Sequence, residues 1–159
     1  MAVIGSLQEQ HGELRRLAQG IRDLFDGDRL ARSGTAVRLS LSAFARKLRV
    51  HLALEERFVC ERLLRHSDRA IVGLAMQHRH DIRSLDDRIA THARRWISEA
   101  EIQKAPRQFI EETTSILELA SKRFELEDQD LYPLVEQIIS PSGTWPVDLM
   151  DTRRIRDAG

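Results

Sequence analysis

Five polar residues stand where helical periodicity demands core: His11, His51, Glu55, His78 and Glu127. Each interrupts a run of apolar residues spaced three and four apart, so each is predicted to face inward. Burying an ionisable group without a partner costs several kcal/mol, so five on converging faces require mutual pairing or a shared cation. His51 and Glu55 are four apart and project from one side of a helix toward one point. An imidazole nitrogen and a carboxylate oxygen so placed can bind one divalent ion, or two neighbouring ones.

The elements that position these residues are read from breakers and periodicity. Prolines occur only at 106, 133, 141 and 146, which leaves long stretches free to be helical. Ser6-Leu7-Gln8-Glu9 reads as a capping box opening a first helix, with Leu7, His11, Leu14, Ala18, Ile21 and Phe25 on its inner stripe and Gly27 at its close. Ser33-Gly34-Thr35 restarts the chain. A second helix ending near His66 then carries Val37, Leu41, Phe44, Leu48, His51, Glu55, Phe58 and Arg62 on one stripe.

Ser67-Asp68 caps a third helix, whose stripe is Ile71, Leu74, His78, Ile82, Leu85, Ile89 and Trp96, with Trp96 buried at its far end. Ser98 to Pro106 reads as a connection with a short helical turn from Ser98 to Glu101. Pro106 suits the first turn of a fourth helix with Phe109, Thr113, Ile116, Ala120, Arg123, Glu127, Leu131, Leu134 and Ile138 inward. Pro133 falls inside it and should kink it or mark its weakest turn. A second stripe through Leu117, Phe124, Leu126 and Leu131 leaves the direction of Arg123 open.

The predicted fold is all-α, an antiparallel up-down-up-down four-helix bundle over residues 1–139 with a tail at 140–159. The tail carries Trp145, Val147, Leu149 and Met150, and is expected to pack back on the bundle or to meet a protein partner or a second copy in a homodimer. At about 1.5 Å per residue, His11 lies roughly 8 Å into its helix, and His78 roughly 15 Å into its own. His51 and Glu55 stand roughly 17–22 Å from their helix end, and Glu127 roughly 18 Å from its own. Antiparallel helices bring these heights into one layer. His92, roughly 36 Å up the third helix, falls outside it. His66 and His92 read as surface or helix-end residues.

A chain of 159 residues with 42% hydrophobic and 31% charged content suits one domain with one core and a solvated surface. No apolar run approaches the ~20 residues that span a bilayer. Met-Ala-Val-Ile-Gly-Ser lacks the basic start and apolar segment of a signal peptide. The single cysteine, Cys60, excludes an intramolecular disulfide and reads as buried and inert; together these features favour a reducing cytoplasm. Twenty-five basic and twenty-five acidic residues cancel and are interspersed, which argues for solvated helix faces over nucleic-acid binding. No Ser/His/Asp arrangement, phosphate loop or redox cysteine pair specifies a substrate, so binding ranks above catalysis.

Three segments carry a family resemblance. His51-Leu52-Ala53-Leu54-Glu55-Glu56 resembles the HxxxE(E) motif on the second helix of hemerythrin-like (HHE) cation-binding domains. Glu127-Asp128-Gln129-Asp130-Leu131-Tyr132-Pro133 resembles the close of that family's fourth-helix motif, and Gln10-His11-Gly12-Glu13-Leu14 its first-helix ligand motif. The resemblance runs from Ser6 to Ile139. It implies a non-haem iron site, usually di-iron, held by five histidines and two carboxylates. Such sites bind dioxygen or another small diatomic ligand, sense oxygen or iron, or support redox defence. It makes His11, His51 and His78 the terminal nitrogen ligands, and Glu55 and Glu127 the bridging carboxylates.

Two departures qualify that ligand set. Leu74 and Ile82 flank His78 where the family pattern would put a second histidine, and Arg123 stands four before Glu127 where another belongs. Arginine stays protonated and cannot ligate. Three imidazoles and two carboxylates satisfy one ion, so the expectation is at most one iron held tightly by His51, Glu55 and a histidine from helix one or three, with Glu127 shared between metal and Arg123. The alternative is a metal-free interaction or regulatory module in which the Arg123 fork replaces the cation between the carboxylates.

Overall fold

The computed structural model describes residues 2–25, 30 and 34–138, and among these every regular element is helical. The principal helices are α1 (Ala2–Asp23), α2 (Gly34–Glu55), α3 (Arg69–Arg95), the short α4 (Glu99–Lys104) and α5 (Pro106–Leu126). Two of them continue past a widened, π-helical turn: α2 through Glu56–Cys60 into Glu61–Leu63, and α5 through Glu127–Leu131 into Tyr132–Ile138. The tail at 140–159 with Trp145, and the expected stop at Gly27, lie outside the described residues. Among the described residues, no helix is long and apolar enough to cross a membrane.

Local chemistry accounts for several helix starts. The Asp68 side chain accepts the backbone N–H of Ala70 at 2.8 Å and opens α3. Ser98 does the same for Glu101 at 3.3 Å and opens α4, and Pro106 occupies the first turn of α5. The Ser98–Pro106 connection is thus a full short helix, anchored by the buried Ile102. The capping box at Ser6 is overturned: α1 starts at Ala2 and runs through Ser6, because Val3, Ile4 and Leu7 are all buried. Their burial, worth up to ~1.5–3 kcal/mol for each large aliphatic side chain, outweighs a local cap worth about 1 kcal/mol.

The core has two ends and a middle. One end joins Val3, Ile4 and Leu7 at the start of α1, and Ala75 near the start of α3, to Val59, Leu63, Tyr132 and Val135. The other joins Val37 and Phe109 at the starts of α2 and α5 to Trp96 at the end of α3 and to Ile102. Between them Leu14, Ala18, Phe44, Leu48, Ile82, Leu85, Leu117 and Phe124 interlock. Trp96 is buried as expected, its indole N–H donating to Glu112 at 2.8 Å.

The π-helical turns correct the stripe positions beyond them. A widened turn holds one extra residue, so the inward face moves one position along the chain. After Glu55 the fully buried residues are therefore Val59, Cys60 and Leu63, not Arg62; after Glu127 Tyr132 and Val135 go inward, and Leu134 and Ile138 are only partly buried. The second widened turn has a local reason. Pro133 has no N–H for the Gln129 carbonyl and would press its ring against it, and the wider turn just before relieves that crowding. On α3 the buried stripe is Ala75, Ile82, Leu85 and Ile89; Leu74, expected inside, is 45% exposed.

Candidate metal centre

His11, His51, Glu55 and Glu127 are all buried between the two ends of the core, and His78 reaches them from α3 with 11% exposure. Side-chain donors fall into two groups, each mutually within 4.8 Å: His11, His51 and Glu127, and Glu55, His78 and Glu127. The five residues predicted from sequence are therefore brought together. The grouping differs from the expected pairing of His51 with Glu55, whose closest approach here is 4.0 Å.

In the first group the imidazoles are fixed from behind. His11 Nδ1 lies 2.8 Å from Asp128 Oδ1, and a carboxylate can only accept, so Nδ1 carries the proton. His51 Nδ1 likewise faces the Gln10 amide oxygen at 3.1 Å. In the neutral rings both Nε2 atoms then present lone pairs, and these stand 3.1 Å apart. Glu127 Oε2 lies 3.1 Å from His11 Nε2 and 3.9 Å from His51 Nε2. Three acceptors facing one another require a shared cation or proton. Phe124 stacks on the His11 ring at 4.4 Å and Tyr132 at 5.5 Å, which fixes the plane of the imidazole.

The second group already contains a cation. Arg123 turns inward, 10% exposed, with Nη2 3.1 Å from Glu55 Oε2 and Nε 2.5 Å from Glu127 Oε1. The Nε–H is not aligned on Glu127, and Arg123 Nε and both Glu127 oxygens lack a hydrogen-bond partner. That contact is an ion pair held by charge alone. Arg123 Nη2 is 3.1 and 3.3 Å from the two ring nitrogens of His78, so its N–H can donate to whichever of them carries the lone pair. Glu55 is satisfied at both oxygens: Tyr132 O–H donates to Oε1 at 3.0 Å, and Arg123 to Oε2.

Electrostatics follow the contacts. Burial pushes the Glu55 pKa up, but the hydrogen bond and charge of His78, with Arg123 and His51, outweigh it and hold the carboxyl at about 2. Burial alone would lower the Arg123 pKa, and Glu127 and Glu55 raise it instead. The Tyr132 phenol is raised by burial and by Glu55 and Glu127, so it remains a donor. Burial, with Glu55 close by, pushes the Cys60 thiol up to about 12, which makes it inert.

Histidines outside the cluster have other work. His66 accepts the Asp68 backbone N–H at 3.0 Å in the turn before α3. His92 stands in the last turn of α3, the helix-end position expected, but is half-buried: it pairs with Thr113 at 2.9 Å, and its pKa is lowered by burial against the opposing pull of Glu112. Gln10, Asp128 and Tyr132 belong to the cluster but were not predicted. Gln10 and Asp128 adjoin ligand-type residues in sequence, which was the one available signal. Tyr132 is aligned by the widened turn, five residues after Glu127.

A buried layer of imidazoles and carboxylates inside an all-helical core defines a class of cation-binding helical proteins. The chain matches the hemerythrin HHE cation-binding domain over residues 2–135 and belongs to that family. Comparison with curated proteins and with solved structures returned no match.

The donor set fits a metal more readily on one side than on the other. Two nitrogens bound cis to one ion at about 2.1 Å stand about 3 Å apart, the observed His11–His51 spacing, and Glu127 has two oxygens with no hydrogen donor. Glu55 and His78 do not fit as readily, because the guanidinium stands among them.

Proposed function

We propose that this chain is a hemerythrin-like protein that holds one divalent ion tightly, iron in the first instance, between His11, His51 and Glu127. The observation that carries this reading is the convergence of two Nε2 lone pairs and a carboxylate without hydrogen donors on one buried point. A ferrous ion supplies redox chemistry and affinity for small diatomic molecules when bound. The residues here hold it by nitrogen and oxygen, keep water away through Phe124 and Tyr132, and shield its second neighbour position with Arg123. The meeting of helix starts with helix ends at each end of the core supports an up-down-up-down bundle.

Arg123 supports a count of one. A unit charge about 5 Å from a second divalent ion adds roughly 6–7 kcal/mol of repulsion at an effective dielectric of about 20. Oxygen or iron sensing is the role that suits such a reduced site. A cavity of about 650 Å³ between α3 and α5, lined by His78, Arg123 and Glu127 among leucines, gives a small diatomic ligand access to it. The second reading is a metal-free regulatory module, favoured by the guanidinium already lying between Glu55 and Glu127.

Anaerobic loading with ferrous iron followed by metal analysis decides between them. The expected result is one iron per chain, a higher melting temperature than with a chelator present, and a capacity approaching two in Arg123→His. No bound iron and no effect of chelator would establish the metal-free reading. Two irons in the unaltered protein would overturn the role given to Arg123.

A further inference from the structure

His11 is bracketed by two successive residues of one chain segment: Glu127 at Nε2, 3.1 Å away, and Asp128 at Nδ1, 2.8 Å away. Successive side chains on an α-helix diverge by about 100°, so neighbours seldom serve one ring. Here the widened turn Glu127–Leu131 begins at the first of the pair and lets both carboxylates reach the imidazole. The two carboxylates nonetheless differ. Glu127 is buried with no hydrogen donor on either oxygen. Asp128 accepts from His11 through Oδ1 and from Arg15 Nη2 through Oδ2 at 2.9 Å, and Arg15 sits one helical turn after His11 on α1. The chain Arg15–Asp128–His11 thus runs from the surface to the buried Nε2 lone pair.

We infer that Asp128, steadied by Arg15, is a positioning residue that locks His11 in the Nδ1–H form and so aims its Nε2 lone pair at the cation position. A carboxylate behind a ligating imidazole fixes its tautomer and orientation and raises its basicity. Gln10 plays the uncharged counterpart for His51. Of the two imidazoles, His11 is therefore the stronger donor, and its strength depends on an exposed arginine. The inference rests on the metal reading above for its consequence, but the tautomer lock stands apart from it.

The test uses the full chain with Zn²⁺ as a redox-inert probe. Asp128→Ala should lower Zn²⁺ affinity by roughly 10–100-fold, the usual effect of removing an outer-shell partner. Asp128→Asn loses the charge and, with Arg15 claiming its single oxygen, turns its amide N–H toward Nδ1, so its affinity should fall about as far as that of Asp128→Ala. Arg15→Met, at an exposed position, leaves the fold intact and should cost several-fold. Nitrogen NMR of the histidine rings in metal-free protein should show His11 as Nδ1–H in the unaltered chain. In Asp128→Ala it should shift toward Nε2–H. Unchanged Zn²⁺ affinity or an unchanged His11 tautomer in Asp128→Ala would overturn the proposal, as would an Asp128→Asn variant that binds Zn²⁺ as tightly as the unaltered protein. If the unaltered protein binds no Zn²⁺ while the tautomer moves as stated, the metal reading fails and the positioning role of Asp128 stands.

Discussion

On the α1 side of the polar layer, His11 and His51 are each held through Nδ1 by an acceptor, and their free nitrogens face a carboxylate that no hydrogen reaches. On the α3 side, Glu55 is engaged at both oxygens by Tyr132 and Arg123, and His78 lies within hydrogen-bond reach of the guanidinium. The residue types are nearly the same in the two halves. What differs is the surrounding hydrogen donors: both Glu55 oxygens accept one, whereas Glu127 has only the unaligned charge of Arg123 beside it. Whether a buried carboxylate is available to a metal is therefore decided by what else donates to it.

Removing Glu55 tests that difference most severely. Glu55→Ala strips Arg123 and Tyr132 of a shared acceptor, and breaking a buried ion pair from one side costs about 3–5 kcal/mol. Urea denaturation in the presence of chelator should record a loss of that size. The same variant should lower the affinity for the single ion less than Glu127→Ala does. A loss below about 1 kcal/mol, the worth of an exposed pair, would mean that Glu55 and Arg123 are not joined in solution.

Acid should separate the halves next. The folded-state pKa of Glu55 is depressed from 4.5 to about 2. Its stabilisation is thus fully present above pH 4.5 and disappears as pH falls toward 2, amounting to about 3 kcal/mol in the metal-free protein. The stability difference between the unaltered chain and Glu55→Gln should shrink across that window. A difference constant from pH 5 to pH 2 would break the assignment.

The smallest effect concerns the wall of the α3–α5 groove. Leu74 lines it and is 45% exposed, with Leu126 at 63% across from it. Leu74→Ser should change stability by no more than about 0.5 kcal/mol, as at other surface positions. A loss of about 2 kcal/mol or more in thermal or urea unfolding would restore Leu74 to the core.

The helices and the polar layer were legible because they rest on periodicity and on the cost of buried charge, both of which are local properties of the chain. His11, His51, Glu55, His78 and Glu127 could be placed by counting residues along helices. Arg123 could be named as a missing ligand, but its direction could not be read, since Phe124 and Glu127 imply two competing stripes and a long side chain can follow either. The register beyond Glu55 and Glu127 was misread because counting assumes one uniform turn, and each widened turn adds a residue. Ser6 failed as a helix start because burial of Val3 and Ile4 at the core's end outweighed a local cap.

By itself the sequence determined an all-helical chain with imidazoles and carboxylates facing inward at one height. Tertiary structure alone decided which donors share a point. His11 and Asp128 are 117 residues apart, and their contact depends on a widened turn in α5 and on how α1 lies against it. The same packing set Arg123 between Glu55 and Glu127. No local rule encodes such contacts, because their energies arise only when separate helices exclude water from the space between them.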